Sequence, residues 1–98
     1  MKIILVEEDG PVRHSMKLLR SIRGHEVTGY ETGSTALAAT FNDLETCLIA
    51  DYLLPDIDGI ALLAWSRARG WRRPAVMITG HFDRALERHM REVGSAAI

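Results

Sequence analysis

Four carboxylates and a hydroxyl in this 98-residue chain stand where they could do chemistry: Glu7-Glu8-Asp9, Asp51 and Thr79. Each group follows a short apolar run, at residues 3–6, 47–50 and 75–78 respectively, and Thr79 is itself followed by Gly80. Carboxylates brought together repel one another unless a cation neutralises them. A hard divalent ion with oxygen ligands, Mg²⁺ above all, suits such a group. Carboxylates, Mg²⁺ and a hydroxyl together suit phosphoryl chemistry, in which the metal neutralises phosphate charge and one carboxylate acts as nucleophile to give an aspartyl phosphate. An acidic triplet by itself is ordinarily a solvated turn. Its recurrence with an acid and a hydroxyl after two further apolar runs is what singles it out.

To gather these residues, the apolar runs must lie side by side. All three are nearly all-apolar rather than alternating, as expected of strands covered on both faces in a parallel sheet. Glu26–Tyr30 alternates and suits an edge strand. Between the runs lie segments of helical period. Val12, Met16, Leu19 and Ile22 mark a first apolar face, with Pro11 in its first turn. Leu37, Phe41 and Leu44 mark a second. Ile60, Leu63, Ala64 and Ala68 mark a third, closed by Gly70, and Phe82, Leu86, Met90 and Val93 mark a fourth, stopped by Gly94. Ala96-Ala97-Ile98 reads as the opening of a fifth strand. This strand–helix alternation predicts one doubly wound α/β domain over residues 1–98, with right-handed crossovers and helices on both faces of a parallel sheet. In such sheets, sites form beyond the carboxyl ends of the strands, near the point where strand order reverses. That rule places Glu7, Glu8, Asp9, Asp51 and Thr79 at one rim.

Val6-Glu7-Glu8-Asp9, the segment Ile49 to Gly59 with its Asp51-x-x-x-Pro55-x-x-x-Gly59 spacing, and Val76-Met77-Ile78-Thr79-Gly80 resemble, in order, the signatures of the response-regulator receiver family. The resemblance implies a flavodoxin-like strand order 2-1-3-4-5. It also implies that Asp51 accepts a phosphoryl group from a histidine kinase or phosphotransfer protein. Glu7, Glu8, Asp51 and the backbone carbonyl of Leu53 would hold Mg²⁺, with Asp9 as a further carboxylate. Thr79 would contact a phosphoryl oxygen and pass the signal to the loop and helix after it, while Pro55 and Gly59 shape the turn into the third helix. Two departures stand out. Glu8 is one methylene longer than the Asp usual in the family. The family's Lys at the end of strand 5 would fall about three residues past Ile98, judged from that strand's place in the doubly wound order, whereas the lysines here are Lys2 and Lys17. The expected form is a receiver with an incomplete fifth strand and no last helix. Such a form could self-associate through the open sheet edge or through the helix marked by Phe82 and Val93.

Composition is that of an ordinary soluble globular domain. The chain is 47% hydrophobic and 26% charged, with 12 basic and 13 acidic residues, which offers no basic excess for direct nucleic-acid binding. No apolar run approaches the roughly 18 residues that suggest a membrane span, and the start is too short for a signal peptide; a cytoplasmic location is expected. The single Cys47 can form no internal disulfide and reads as a buried strand residue. Asp56-x-Asp58-Gly59 superficially resembles the start of haloacid-dehalogenase-type phosphatases, where the first Asp directly follows an apolar strand; here Tyr52 to Pro55 intervene. A receiver-like interaction module that no longer takes phosphate is the other alternative, motivated by Glu8 and the missing Lys. Arg67, Arg69, Arg72 and Arg73 read as a solvated helix end, where cations are favoured. Trp71 suits either a contact residue or packing over that helix end, and His14 and His89 read as helix-surface or core residues rather than metal ligands.

Overall fold

The computed structural model describes residues 2–42, 46–79 and 84–97, with the side chains of all of these except 39–42, 96 and 97. Lys2–Val6 forms β1 and Glu26–Tyr30 forms β2. Thr46–Asp51 forms β3, Ala75–Ile78 forms β4 and Ala96–Ala97 forms β5. The helices are α1 (Gly10–Ile22), α2 (Gly33–Asn42), α3 (Gly59–Ala68) and α4 (Arg84–Glu92). All strands are parallel, in the order β2-β1-β3-β4-β5 expected from the sequence. The order reverses between β1 and β3, which pair over Lys2–Val6 with Val6 opposite Ala50.

Alternation along β1 explains why its residues are nearly all apolar. Successive side chains point to opposite faces of a strand, and a doubly covered sheet requires both to be apolar. Ile4 and Val6 join Leu48, Ala50, Ile60, Leu62, Leu63, Trp71, Met77 and Met90 in a larger core on the side of α2, α3 and α4. Ile3 and Leu5 join Val27 and Ile49 in a smaller one, with Met16 of α1 packed on it. Trp71 is 1% exposed, so packing is its role.

Two helix faces, those of α1 and α3, differ from the sequence pattern, while α4 follows it. In α1 the half-buried side chains are Arg13, Met16 and Arg20. Val12, Leu19 and Ile22 are exposed at 45%, 64% and 81%. The apolar stripe exists, but α1 meets the sheet through Met16 and the stem of Arg13, which lies against Gly29 of β2, as long basic side chains can cover sheet surface with their stems. In α3 the buried positions are Gly59, Ile60, Leu62, Leu63 and Ser66, whereas Ala64 is half-buried and Ala68 exposed. The buried Ser66 hydroxyl is accommodated by donating to the Leu62 carbonyl at 3.0 Å. In α4, Met90 is buried with Leu86 and Val93 packed around the same core. Phe82, Leu44 and the Phe41 side chain lie outside the described residues.

The basic cluster after α3 is not uniformly solvated. Arg67 donates to the carbonyls of Val93 (3.1 Å), Trp71 (3.0 Å), Arg73 (2.8 Å) and Gly94 (3.0 Å). Its guanidinium also lies over the Trp71 ring, 4.9 Å from the centroid. Burial, and secondarily the neighbouring Arg72, lower its pKa, although a guanidinium stays cationic in proteins. Arg67 thus ties the end of α3 to the α3–β4 loop and to the turn after α4. Cys47 is half-buried rather than buried, and His14 and His89 are exposed on their helices.

Candidate functional site

Glu7, Glu8 and Asp9 form the connection from β1 to α1. Glu7 is 7% exposed, one of the few buried polar residues described. Its backbone N–H donates to the Tyr30 carbonyl at 3.0 Å, which carries the β1–β2 ladder one residue past the strand. Its carboxylate Oε1 accepts from the Asp9 N–H at 3.3 Å. Glu8 is exposed. The Asp9 Oδ1 accepts from the Val12 N–H at 3.0 Å, so Asp9 is the N-cap of α1. A short acidic side chain at this position satisfies one of the unpaired amides of the first turn, and Pro11 beside it needs no donor there. One oxygen of Asp9 is therefore engaged in holding α1.

Asp51 is the last residue of β3 rather than the first beyond it, and it is half-buried. It stands opposite Ile78 of β4, so that Thr79 is the next residue at the same carboxyl edge. The Tyr52 N–H donates to the Ile78 carbonyl at 2.9 Å, and the Gly59 N–H to the Tyr52 carbonyl at 2.7 Å. These bonds fold the seven-residue β3–α3 loop back on the strand end. Asp58 then caps α3 through the Ala61 N–H at 2.7 Å. Gly59 matters for more than a turn: a Cβ there would run into the Asp51 carbonyl and stand 2.8 Å from the Met77 sulfur. The absence of a side chain lets α3 start directly against the backbone of Asp51.

Glu7, Glu8, Asp9, Gly10, Pro11, Glu31 and Asp51 line one open depression of 480 Å³ at this rim. The triplet and Asp51 are thus brought to one concavity. Leu53, 77% exposed in the β3–α3 loop, and Thr79, just past β4, lie outside its lining. Among the described residues, no three acidic or histidine side chains converge into a finished ligand set. The donors are nonetheless all carboxylate oxygens, which fits a hard cation such as Mg²⁺ in kind. Glu31 was missed by the sequence reading. Its signal was available, because it directly follows the edge strand Glu26–Tyr30, as the other acids follow theirs.

Asp56 plays a different part. It is exposed, yet it accepts from the Gly33 and Ser34 amides at 2.9 Å each and from the Ile57 amide at 2.9 Å. Those bonds, Gly33 first, hold its carboxyl far below the usual carboxylate range. It caps α2 from the β3–α3 loop, and the tightness of the join shows at Gly33, where a Cβ would lie 2.5 Å from Ile57 Cγ1.

A family model for the response regulator receiver domain matches residues 3–97. The chain belongs to the response-regulator receiver family. FixJ of Azorhizobium caulinodans, a transcriptional regulatory protein, is 28% identical over 98% of this chain and 46% of its own length. The response regulator protein FleR of Pseudomonas aeruginosa is 31% identical over 88% of this chain and 19% of its own. The chain thus spans less than half the length of these relatives. Among solved structures, a Francisella response regulator receiver domain superposes with TM-score 0.91 at 19% identity, covering 99% of this chain and 81% of that one. A CheY-like receiver from Methanospirillum hungatei gives 0.88 at 25% identity, over 98% and 77%. No helix of the described residues is long and apolar enough to cross a membrane.

Proposed function

We propose that this receiver domain accepts a phosphoryl group on Asp51 from a histidine kinase or phosphotransfer protein in the cytoplasm, and that the one folded unit over residues 1–98 changes partner affinity when it does. The observation that carries this reading is the shared depression of Asp51 with Glu7, Glu8, Asp9 and Glu31 at the carboxyl rim, beside the β1/β3 reversal. An Asp51 carboxylate oxygen attacks phosphorus, the P–N bond of the donor phosphohistidine breaks, and the imidazole leaves with the electron pair. Glu7, Glu8, Asp51 and the Leu53 carbonyl would hold Mg²⁺, which when bound offsets the charge of carboxylates and phosphoryl oxygens. Asp9, engaged as a cap, serves by fixing α1 and leaves one oxygen for the site. Thr79, one residue beyond the Asp51 partner on β4, suits contact with a phosphoryl oxygen. The next described element after it in the chain is α4, whose equilibrium the modification would bias.

Asp56 and Asp58, the pair a dehalogenase-type phosphatase would use, are engaged as helix caps, which argues against that reading. An interaction module without phosphorylation is favoured by one observation, the unconverged carboxylates. Phosphotransfer from a phosphorylated kinase separates the two: label is expected on wild type and not on Asp51→Asn, and equal labelling of both would overturn the proposal.

A further inference from the structure

Arg13 is built into the underside of the acidic rim, although nothing in the motif assigns it a part. Its Nη1 donates to the Glu7 carbonyl at 2.7 Å and to the Glu8 carbonyl at 3.3 Å. Its stem crosses β2 at Gly29, where a Cβ would stand 3.0 Å from Arg13 Cδ and 3.1 Å from Cγ. Glycine leaves the notch in which the stem lies. Both backbone groups of Glu7 are thereby fixed, the N–H on Tyr30 of β2 and the carbonyl on Arg13 of α1.

We propose that Arg13 is a positioning residue for the site, seated on Gly29 and setting the backbone of Glu7 and Glu8, which line the depression together with Asp51. This rests on the reading of the rim as a cation-binding phosphoacceptor site. One nitrogen with two hydrogens serves two successive carbonyls, which a charge-assisted guanidinium does well. A lysine ammonium is a point charge on a shorter reach and would not hold the same pair.

The sign of the effect on cation binding separates positioning from charge. As a cation near a cation site, Arg13 weakens Mg²⁺ binding by Coulomb repulsion, so a purely electrostatic role makes Arg13→Ala bind Mg²⁺ more tightly. Positioning makes it bind more weakly, by about tenfold, as is usual on loss of a group that orients metal ligands. Gly29→Ala keeps the charge and crowds the stem, so positioning alone predicts weaker binding there too. Titration calorimetry with Mg²⁺ alone on wild type, Arg13→Ala, Arg13→Lys and Gly29→Ala gives the test. Weaker binding in Arg13→Ala and Gly29→Ala, with Arg13→Lys not restoring it, supports the proposal. Equal or tighter binding in Arg13→Ala with Gly29→Ala unchanged overturns it. Hydrogen exchange at the Asp9 and Val12 amides reads the same positioning with no metal present. About tenfold faster exchange is expected in both variants from local opening, and unchanged exchange overturns the proposal. Should wild type itself fail to bind Mg²⁺, the metal reading of the rim is what fails, and the exchange data alone decide the role of Arg13.

Discussion

Replacing Arg67 with alanine removes a clamp whose strength can be worked from its contacts. Two of its four acceptors, the Val93 and Trp71 carbonyls, are partly buried, while the bonds to Arg73 and Gly94 are exposed. Water can replace the guanidinium at the exposed pair, so little is lost there. Each partly buried bond to a charged donor contributes about 1 kcal/mol once screening is allowed for. Contact with the Trp71 ring at 4.9 Å adds about 0.5–1 kcal/mol. The total is about 3 kcal/mol, a large share of the 5–15 kcal/mol typical of a domain. At roughly 4–8 °C per kcal/mol for this size, Tm falls by roughly 12–24 °C. Trp71 lies under the clamp at 1% exposure, whereas Trp65 is 54% exposed. Urea unfolding followed by tryptophan emission in a Trp65→Phe background therefore reports on the clamped region itself. Arg67→Lys should recover only about a third of the loss, since an ammonium lacks the planar fork. An Arg67→Ala protein within about 0.5 kcal/mol of its parent, the range of ordinary surface changes, would refute the reasoning.

Gly59→Ala should destabilise by about 2–3 kcal/mol, the upper range for overpacking, because the new methyl meets backbone at Asp51 rather than a yielding side chain. Chemical denaturation checks the cost, and an amide shift at Asp51 or Tyr52 by NMR checks the location. The Asp56 carboxyl titrates far lower when folded, so its contribution is complete above the unfolded value of about 3.9 and is lost as pH falls below it. Asp56→Asn should therefore be less stable than wild type at neutral pH, with the difference shrinking in acid melts below about pH 4; a constant difference across that range would contradict the linkage. On α1, Leu19→Ser and Ile22→Ser, at 64% and 81% exposed, should each change stability by less than about 0.5 kcal/mol, and a cooperative loss above 1.5 kcal/mol would show that this stripe is covered in solution.

Much of the architecture was legible because parallel-sheet burial leaves a strong mark. The all-apolar runs of β1 and β3, and the residues following them, place Glu7 and Asp51 at one edge without reference to any relative. Faces of helices were less legible. The stripe of Val12, Leu19 and Ile22 has helical period, but period alone does not say which side meets the sheet, and α1 meets it through Arg13 and Met16. Long polar side chains also hid their roles. Arg67 read as one of a solvated group, and Arg13 did not stand out, since their partners are backbone carbonyls that no side-chain pattern reveals. Asp9 and Asp56 looked like acids available for chemistry or turns, and both cap helices. Glu31 was less legible because β2 alternates and lies at the sheet edge, without the all-apolar run that marks the end of a doubly covered strand.

The central claim is that Asp51 is the residue that takes the phosphoryl group. Intact-mass measurement after incubation with a small acyl phosphate and Mg²⁺ tests it most directly. A single phosphoryl adduct is expected on wild type, lost in mild alkali as an acyl phosphate must be, and absent from Asp51→Asn. An adduct of the same extent on Asp51→Asn, or one on wild type that survives alkali as a Thr79 ester would, contradicts the account.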